Sequence, residues 1–526
     1  MNGHSQAGSF LKKRYENRRI LIFESFITGI ITGLVIAAFR LTIDYMNNFR
    51  LYMYGLIREN GMLPGIAAAA ALTAAGLFIG SIIKKYPMIK GSGVAQIEGV
   101  FMQKLRLSPW PELPLKFIGG LLGIGLGLSV GREGPSVQLG AYVGDAVERI
   151  GKRSFTERVC LITAGAAAGL AATFNAPFAA VVFALEDLHQ YLSPLLLMCV
   201  MAGAFAGDLA ASMLVGSGPI FHFHTELIYP APYLIWLIGL GIFVALVGHG
   251  FKKSIYFFQQ LYEKLGIPPA LRPLFPFLLS LPVGLWYGYA GGGGDPLIEA
   301  LAEQTFPVST LFIVLAVKII FTGISAGSGA IGGIFVPLLA CGAVTGMLYA
   351  GILTSWGLLP AAQSINMLMF GMAACFTAVI KAPLTACIIV FETTGSINHL
   401  SGLVLTCLSA YLTANFIGSQ AHDHVLLTQI LEAEDTTAEE SGLHGNPHPQ
   451  IYELPVQPQS PAALKKISET VWPKDCLIVG IVRGDHELIP DGKTTLYPGD
   501  KLIILAKSPS AGRLLEELAE LTGSSS

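Results

Sequence analysis

Charge is the scarcest property of this sequence. Of its 526 residues, 13% are Asp, Glu, Lys or Arg, against about a quarter in a soluble globular domain. With 52% hydrophobic residues and a mean hydropathy of +0.59, that deficit excludes an ordinary soluble protein and predicts a polytopic membrane protein set in a lipid bilayer. Net charge is near zero, at −2, and no dense basic stretch occurs, so no nucleic acid polymer is expected as a partner. The seven cysteines are scattered without a Cys-x-x-Cys spacing, so neither a metal nor a redox site is implied and no cofactor is expected. His-Glu-x-x-His is missing, no Gly-x-Ser-x-Gly nucleophile turn is expected, and the chain is not expected to be an enzyme. Segments like Thr-Val-Gly-Tyr-Gly are missing too, which removes a potassium filter.

Long uninterrupted apolar runs are also few. Apolar segments cover roughly 21–41, 66–83, 117–130, 159–185, 195–215, 233–250, 273–290, 310–324, 331–353, 367–391 and 401–418. Several fall short of the ~20 residues that a full span needs, and glycine or proline cuts many of them. Broken or re-entrant helices are tolerated only where protein buries them or a watery cavity lies beside them. The pattern therefore points to a transport path more than to a simple receptor bundle. Residues 1–19 show no cleavable leader. Lys12, Lys13, Arg14, Arg18 and Arg19 precede the first apolar segment, so the positive-inside rule places that end in the cytoplasm, with the chain in the cell membrane.

Glu133 stands out against this background. It lies in Gly131-Arg132-Glu133-Gly134-Pro135, directly after the apolar run 117–130. Ionisable residues at membrane depth are rare and usually functional. Proline is favoured in the first turn of a helix, and glycine tolerates the bend before it. Glu133 is thus predicted at a helix N-terminus inside the bilayer. Such an end attracts anions through its unpaired N–H groups and partial positive charge. A carboxylate there can occupy an anion site itself or leave it when protonated.

The membrane region repeats itself. Gly165–Glu186 set against Gly371–Glu392, an offset of 206, matches at eight of 22 positions, including Pro177/Pro383 and Glu186/Glu392. Upstream, Gly131, Pro135, Gly140 and Gly144 align with Gly333, Pro337, Gly342 and Gly346 at an offset of 202. Repeats of this kind mark transporter folds, whose broken helices hold substrate near the midplane at the repeat interface. The two Gly-x-x-x-Pro turns become paired helix N-termini facing a shared site. The Gly-x-x-x-Gly spacings read as close helix packing.

After about Gln429 the character changes. Residues 431–450 are acidic, then rich in His, Pro and Gly, and read as a linker. Residues 451–526 read as a small soluble α/β domain. Ala462–Glu469 has a helical pattern, Cys476–Val482 and Lys501–Leu505 are short apolar strands, and Leu514–Leu521 is a final amphipathic helix. Asp491-Gly492 and Pro498-Gly499-Asp500 are turns.

Four segments, Gly91-Ser92-Gly93-Val94, Gly131–Pro135, Gly333-Ile334-Phe335-Val336-Pro337 and Phe174-Asn175-Ala176-Pro177 leading into Glu186 and Asp187, converge on one identity. At these residues the chain closely resembles the CLC family of chloride channels and chloride/proton exchangers, over roughly 20–430. The resemblance implies an all-α membrane domain with a CLC-type inverted repeat, in halves of about 20–220 and 230–430, built from broken and re-entrant helices. It also implies a homodimer that transports chloride and H⁺ without a cofactor. Residues 451–526 resemble the C-terminal ligand-binding domain of potassium-channel regulator proteins, the RCK-C or TrkA-C type. That match implies a cytoplasmic regulatory domain for a small ligand such as a nucleotide or cyclic dinucleotide.

By the resemblance, the Ser92 hydroxyl and the backbone N–H groups of Ile334 and Phe335 coordinate a central chloride. Neutral donors suit this task, because a full charge in contact would hold the ion too tightly for rapid release. Serine at this position looks like a chloride-preferring member, whereas proline marks nitrate-preferring relatives. Arg132 and Lys116 supply long-range positive potential and structural pairing. Glu133 resembles the family's external gating glutamate, which mimics chloride when ionised and carries H⁺ when protonated.

Two departures from the family pattern stand out. Exchangers carry an internal proton-relay glutamate where this chain has Asp187, beside Glu186. The titratable carboxylate is kept, which favours an exchanger; a passive or loosely coupled channel on the same fold is the alternative. The family also places a chloride-contacting tyrosine at the start of the last membrane helix. Counted without gaps from Phe416-Ile417-Gly418, that position is Asp423. The expectation is that Asp423 turns away from chloride, that His422, Asp423 and His424 are hydrated, and that the inner gate is wide and coupling loose.

Overall fold

The structure, a computed structural model, describes residues 3–151, 153–189, 193–221, 229–395, 399–440, 450–458, 460–473, 476–483, 486–506, 518 and 520–523. The chain forms two compact units, Met1–Ile430 and Leu431–Ser526.

The first unit is helical. Its first half comprises α1 (Gly3–Asn60), α2 (Met62–Lys85), α3 (Val94–Phe101), α4 (Pro109–Gly125), α5 (Glu133–Gly151), α6 (Phe155–Phe174), α7 (Pro177–Phe183) and α8 (Pro194–Val215). The second half comprises α9 (Leu234–Lys264), α10 (Leu274–Trp286), α11 (Asp295–Glu303), α12 (Val308–Gly327), α13 (Phe335–Ser355), α14 (Ser364–Ile380), α15 (Pro383–Thr394) and α16 (Leu400–Phe416). A last helix, α17, spans His422–Glu440. Among the described residues, eight helices are long and apolar enough to cross a membrane. Phe23, Ile235, Phe312 and Leu412 remain exposed on α1, α9, α12 and α16, a cover that lipid satisfies and water does not. The helices α3, α7, α11 and α15 have 8, 7, 9 and 12 residues and are too short to span. Proline in the first turn of α7, α11 and α15 starts each one where an N–H is dispensable.

The repeat is visible in the packing. A Cβ on Gly140 would overlap the Gly165 carbonyl where α5 crosses α6, and one on Gly342 would overlap the Gly371 carbonyl where α13 crosses α14. Gly144 and Gly346 approach Leu161 and Met367 in the same way. Asn175 and Lys381, 206 residues apart in sequence, both end their helices with positive φ, at 50° and 75°. The glycine spacings thus let two pairs of helices come into backbone contact.

The second unit is built on an antiparallel sheet in the order β1 (Gln450–Pro455), β4 (Lys501–Ala506), β2 (Cys476–Arg483), β3 (His486–Leu488). Leu454 lies opposite Leu502, and Ile478 opposite Ile504. Val456, Ala462, Ile481, Leu496, Leu502, Ile504 and Leu518 form its core. Two expectations change here. The stretch 462–469 is a turn followed by a short 3-10 helix, Ile467–Glu469, rather than a helix. Its backbone is taken by chain-crossing bonds, Leu464 N–H to Leu496 O at 2.8 Å and Leu496 N–H to Lys465 O at 2.9 Å. The acidic start of the expected linker is helical, since α17 runs to Glu440. Most of the expected helix at 514–521 lies outside the described residues, as does 441–449.

Candidate functional site

The first-half turn before α5 and the second-half turn before α13 meet backbone to backbone. The Gly131 N–H donates to the Gly333 carbonyl at 2.6 Å, and the Gly333 N–H returns a bond to the Gly131 carbonyl at 2.8 Å. This reciprocal bridge sets the N-terminal ends of α5 and α13 side by side. Pro135 and Pro337 occupy the first turn of each, as the Gly-x-x-x-Pro spacing predicts.

A third loop, Gly91-Ser92-Gly93, is held against them. The Gly332 N–H donates to the Gly91 carbonyl at 3.1 Å, and the buried Lys116 ammonium donates to the carbonyls of Ile89 and Gly91 at 3.0 and 2.8 Å. Gly91 and Gly93 take φ of +63° and +98°, which only glycine adopts cheaply. A Cβ on Gly134 would strike Ser92, and one on Gly131 would strike the Glu133 carboxylate, so both glycines make room for the site. The same device recurs in the second half, where Lys318 donates to the carbonyls of Ala290 and Gly292 at 3.4 and 2.7 Å.

These parts enclose a small cavity of about 30 Å³, room for one water or ion of similar size. Ser92, Glu133, Ile334, Phe335 and Asp423 line it, with apolar cover that includes Val137 and Leu170. Glu133 is the first residue of α5 and is 1% exposed. Neither carboxylate oxygen completes a hydrogen bond among the described residues. The amides close enough to act on it are its own and that of Val336, in the first turn of α13. That first turn has no side-chain cap among the described residues, so its N–H groups are open to an anion. Ser92 Oγ accepts a long bond from the Val94 N–H at 3.3 Å and donates none among the described residues.

Arg132 points elsewhere, toward Asp295 at 3.7 Å and Asp44 at 4.0 Å. Glu186 and Asp187 lie in a π-helical turn, Ala184–His189, directly after α7. Glu186 accepts the N–H groups of Leu384 and Thr385 at 3.1 and 2.7 Å. Asp187 keeps one oxygen buried without a partner among the described residues, and it lies within electrostatic reach of Asp423 and Glu98. The expected hydrated inner side is not observed. His422 is 3% and Asp423 8% exposed, and His424 alone of the three faces out. Polarity in sequence does not distinguish a wet helix start from one folded under α9, where His422 stacks on Tyr256.

Sequence reasoning passed over Lys318 and gave Glu392 no role, although each sits one repeat beyond a residue already singled out. Contrary to expectation, two Gly-x-Ser-x-Gly spellings occur, Gly127–Gly131 and Gly323–Gly327. Neither forms a nucleophile with its base. The Ser129 N–H donates to Ser325 Oγ at 3.3 Å, and Ser129 Oγ pairs with Thr322 Oγ1 at 2.7 Å, a buried tie between halves.

Residues 75–415 match the family profile described as voltage gated chloride channel. The chain belongs to that CLC family and is a multi-pass membrane protein, not an enzyme. The TrkA-C domain profile matches residues 451–519. The H(+)/Cl(-) exchange transporter ClcA of Salmonella paratyphi A is 30% identical over 448 residues, covering 81% of this chain and 92% of that protein. The crystal structure of a slow cyanobacterial Cl-/H+ antiporter superposes with a TM-score of 0.75 at 28% identity, over 78% of this chain and 98% of that one. A CLC-type fluoride/proton antiporter, at 24% identity and a TM-score of 0.62 over 75% of this chain and 95% of that one, shares the fold.

Proposed function

We propose that the chain exchanges chloride for protons across the cell membrane, with Glu133 as the gate. The observation that carries this reading is the unpartnered Glu133 carboxylate, buried in a cavity shared with Ser92 and the open start of α13. Ionised, it fills the place of an anion before those amides. Protonated, it has no reason to stay and leaves the place to chloride, which the Ser92 hydroxyl and the Ile334 and Phe335 N–H groups then hold. Desolvating chloride is costly without such donors. Asp187 is the inner proton station, and Gly131, Gly134, Gly333, Lys116 and Arg132 position the site. The names of the similar transporter and antiporter support exchange rather than passive flow.

The working unit is a homodimer with its N-terminus and tail domain in the cytoplasm, and residues 431–450 link the membrane domain to 451–526. The tail binds a small ligand, a nucleotide or cyclic dinucleotide. A pocket of about 360 Å³ beside Trp472 has a suitable size and offers a flat ring to a base. Cutting the chain after Glu440 leaves transport in place and removes its response to that ligand.

The direct test is a reversal potential in liposomes under a pH gradient. An exchanger shifts it with pH at fixed chloride. A value that follows the chloride gradient alone identifies a passive channel.

A further inference from the structure

Glu133 is not the only carboxylate in the cavity. Asp423, the second residue of α17, lines the same space and is 8% exposed. It makes no hydrogen bond or ion pair among the described residues. Every element around it leaves it so. Glu98 of α3 and Asp187 after α7 are both acidic and within electrostatic reach. Tyr256 of α9 is neutral, and its hydroxyl lies 3.2 Å from His422 Nδ1. Lys252 of α9 spends its ammonium on Ser419 Oγ at 2.6 Å and on the Gln420 carbonyl, the loop just before α17. The first turn of α17 offers Asp423 only the partial charge of a helix end.

We propose that Asp423 is a second carboxylate gate: it passes the proton between Glu133 and the inner acids Asp187 and Glu98, and when ionised it bars chloride from the inner end of the cavity. The proposal rests on the reading of this cavity as the chloride path.

The cavity's size makes the two events alternate. At about 30 Å³ it is small enough that bridging water and chloride compete for it. With water present, protonated Glu133 gives its proton through that water to the Asp423 carboxylate. Glu133 becomes the anion and Asp423 the neutral acid. Once Glu133 takes a fresh proton from the outer side and gives up the anion place, chloride enters past the still neutral Asp423, from the side the proton is heading toward. Asp423 next gives its proton to the carboxylate of Asp187 or Glu98, and from there to the inner solvent. Its restored charge closes that end behind the ion. Each step is reversible, so the two ions move in opposite directions whichever gradient drives them. Tight coupling follows from the pair of carboxylates.

The test reconstitutes wild type, Asp423→Asn, Asp423→Glu and Glu133→Gln in liposomes, and records chloride and proton fluxes together. Asp423→Asn removes the titratable group and the charge while keeping the shape. It is expected to speed chloride efflux and cut protons moved per chloride by about tenfold or more, the scale of losing one positioned proton carrier. Asp423→Glu is expected to keep proton movement. If Asp423→Asn elutes as misfolded protein, Asp423→Ser takes its place with the same expectation. An Asp423→Asn protein that moves protons at the wild-type ratio overturns the proposal. If Glu133→Gln uncouples and Asp423→Asn does not, the role of Asp423 alone falls. If neither changes the ratio, the chloride-path reading falls with it.

Discussion

Glu186 and Glu392 each close the helix that the other's half begins. Glu186, just past α7, accepts the N–H groups of Leu384 and Thr385 at the start of α15. Glu392, in α15, accepts those of Phe178 and Ala179 at the start of α7, at 3.2 and 2.7 Å. The exchange of caps is the repeat expressed as hydrogen bonds, and it fixes the turn that carries Asp187. Glu186 is therefore a structural residue beside a titratable one. Glu186→Ala leaves first-turn amides of α15 unpaired, and thermal unfolding in detergent is expected to fall by about 1 to 2 kcal/mol. Glu186→Gln keeps an acceptor and loses less. An unchanged midpoint in both would mean that the caps contribute nothing.

Ser92 has a hydroxyl free to donate into the cavity, between two glycines whose conformations hold it there. Ser92→Pro removes that donor and the backbone N–H together. Discrimination for chloride over nitrate is expected to fall by roughly fivefold, the worth of about one neutral hydrogen bond of ~1 kcal/mol. Anion ratios measured by reversal potential that match wild type would show that the side chain does not face the ion.

Lys116 separates two effects. If it acted only through positive potential, Lys116→Arg would preserve chloride affinity. Its ammonium instead reaches two carbonyls of the Ser92 loop within a fully buried pocket, and the wider guanidinium does not fit that geometry. Both Lys116→Met and Lys116→Arg are expected to weaken chloride binding, read by isothermal titration, by about 1 to 3 kcal/mol. Retained affinity in Lys116→Arg would restore the potential-only account.

In the tail, burial acts to raise the Asp500 carboxyl, but two bonds from Arg483, each 2.7 Å, the Tyr497 N–H and the guanidinium charge outweigh it. The net result is a carboxyl held below its ordinary value. The sign follows: a depressed folded value gives stability that is complete above the unfolded pKa of about 3.9 and is lost as pH falls through the folded one. Protection of the tail from proteolysis in the full chain is expected to drop below about pH 4 in wild type. Asp500→Asn is expected to be less protected at neutral pH and to show a flatter profile. Identical profiles would remove the pair from the account of tail stability.

Much of the architecture is legible in the sequence. The Gly/Pro spacing carried the two helix starts, because few residues other than glycine permit such backbone approach and proline marks a first turn. The repeat offset led to Lys318 and Glu392 only once the hydrogen bonds were seen, since a single lysine or glutamate is too common to flag. The surroundings of Asp423 are not legible in the sequence. A His-Asp-His start reads as wet, and only tertiary packing against α9 and α3 buries it. In the tail, β1 and β3 were passed over and 462–469 was read as helix, because local periodicity is silent about the chain-crossing bonds that override it.

The central claim is that the Glu133 carboxylate ties proton movement to chloride movement. Simultaneous recording of both fluxes from liposomes containing wild type or Glu133→Gln tests it most directly. The account predicts proton transport against a chloride gradient in wild type, and chloride flux without any proton movement in Glu133→Gln. Proton transport that persists at the wild-type ratio in Glu133→Gln would contradict it.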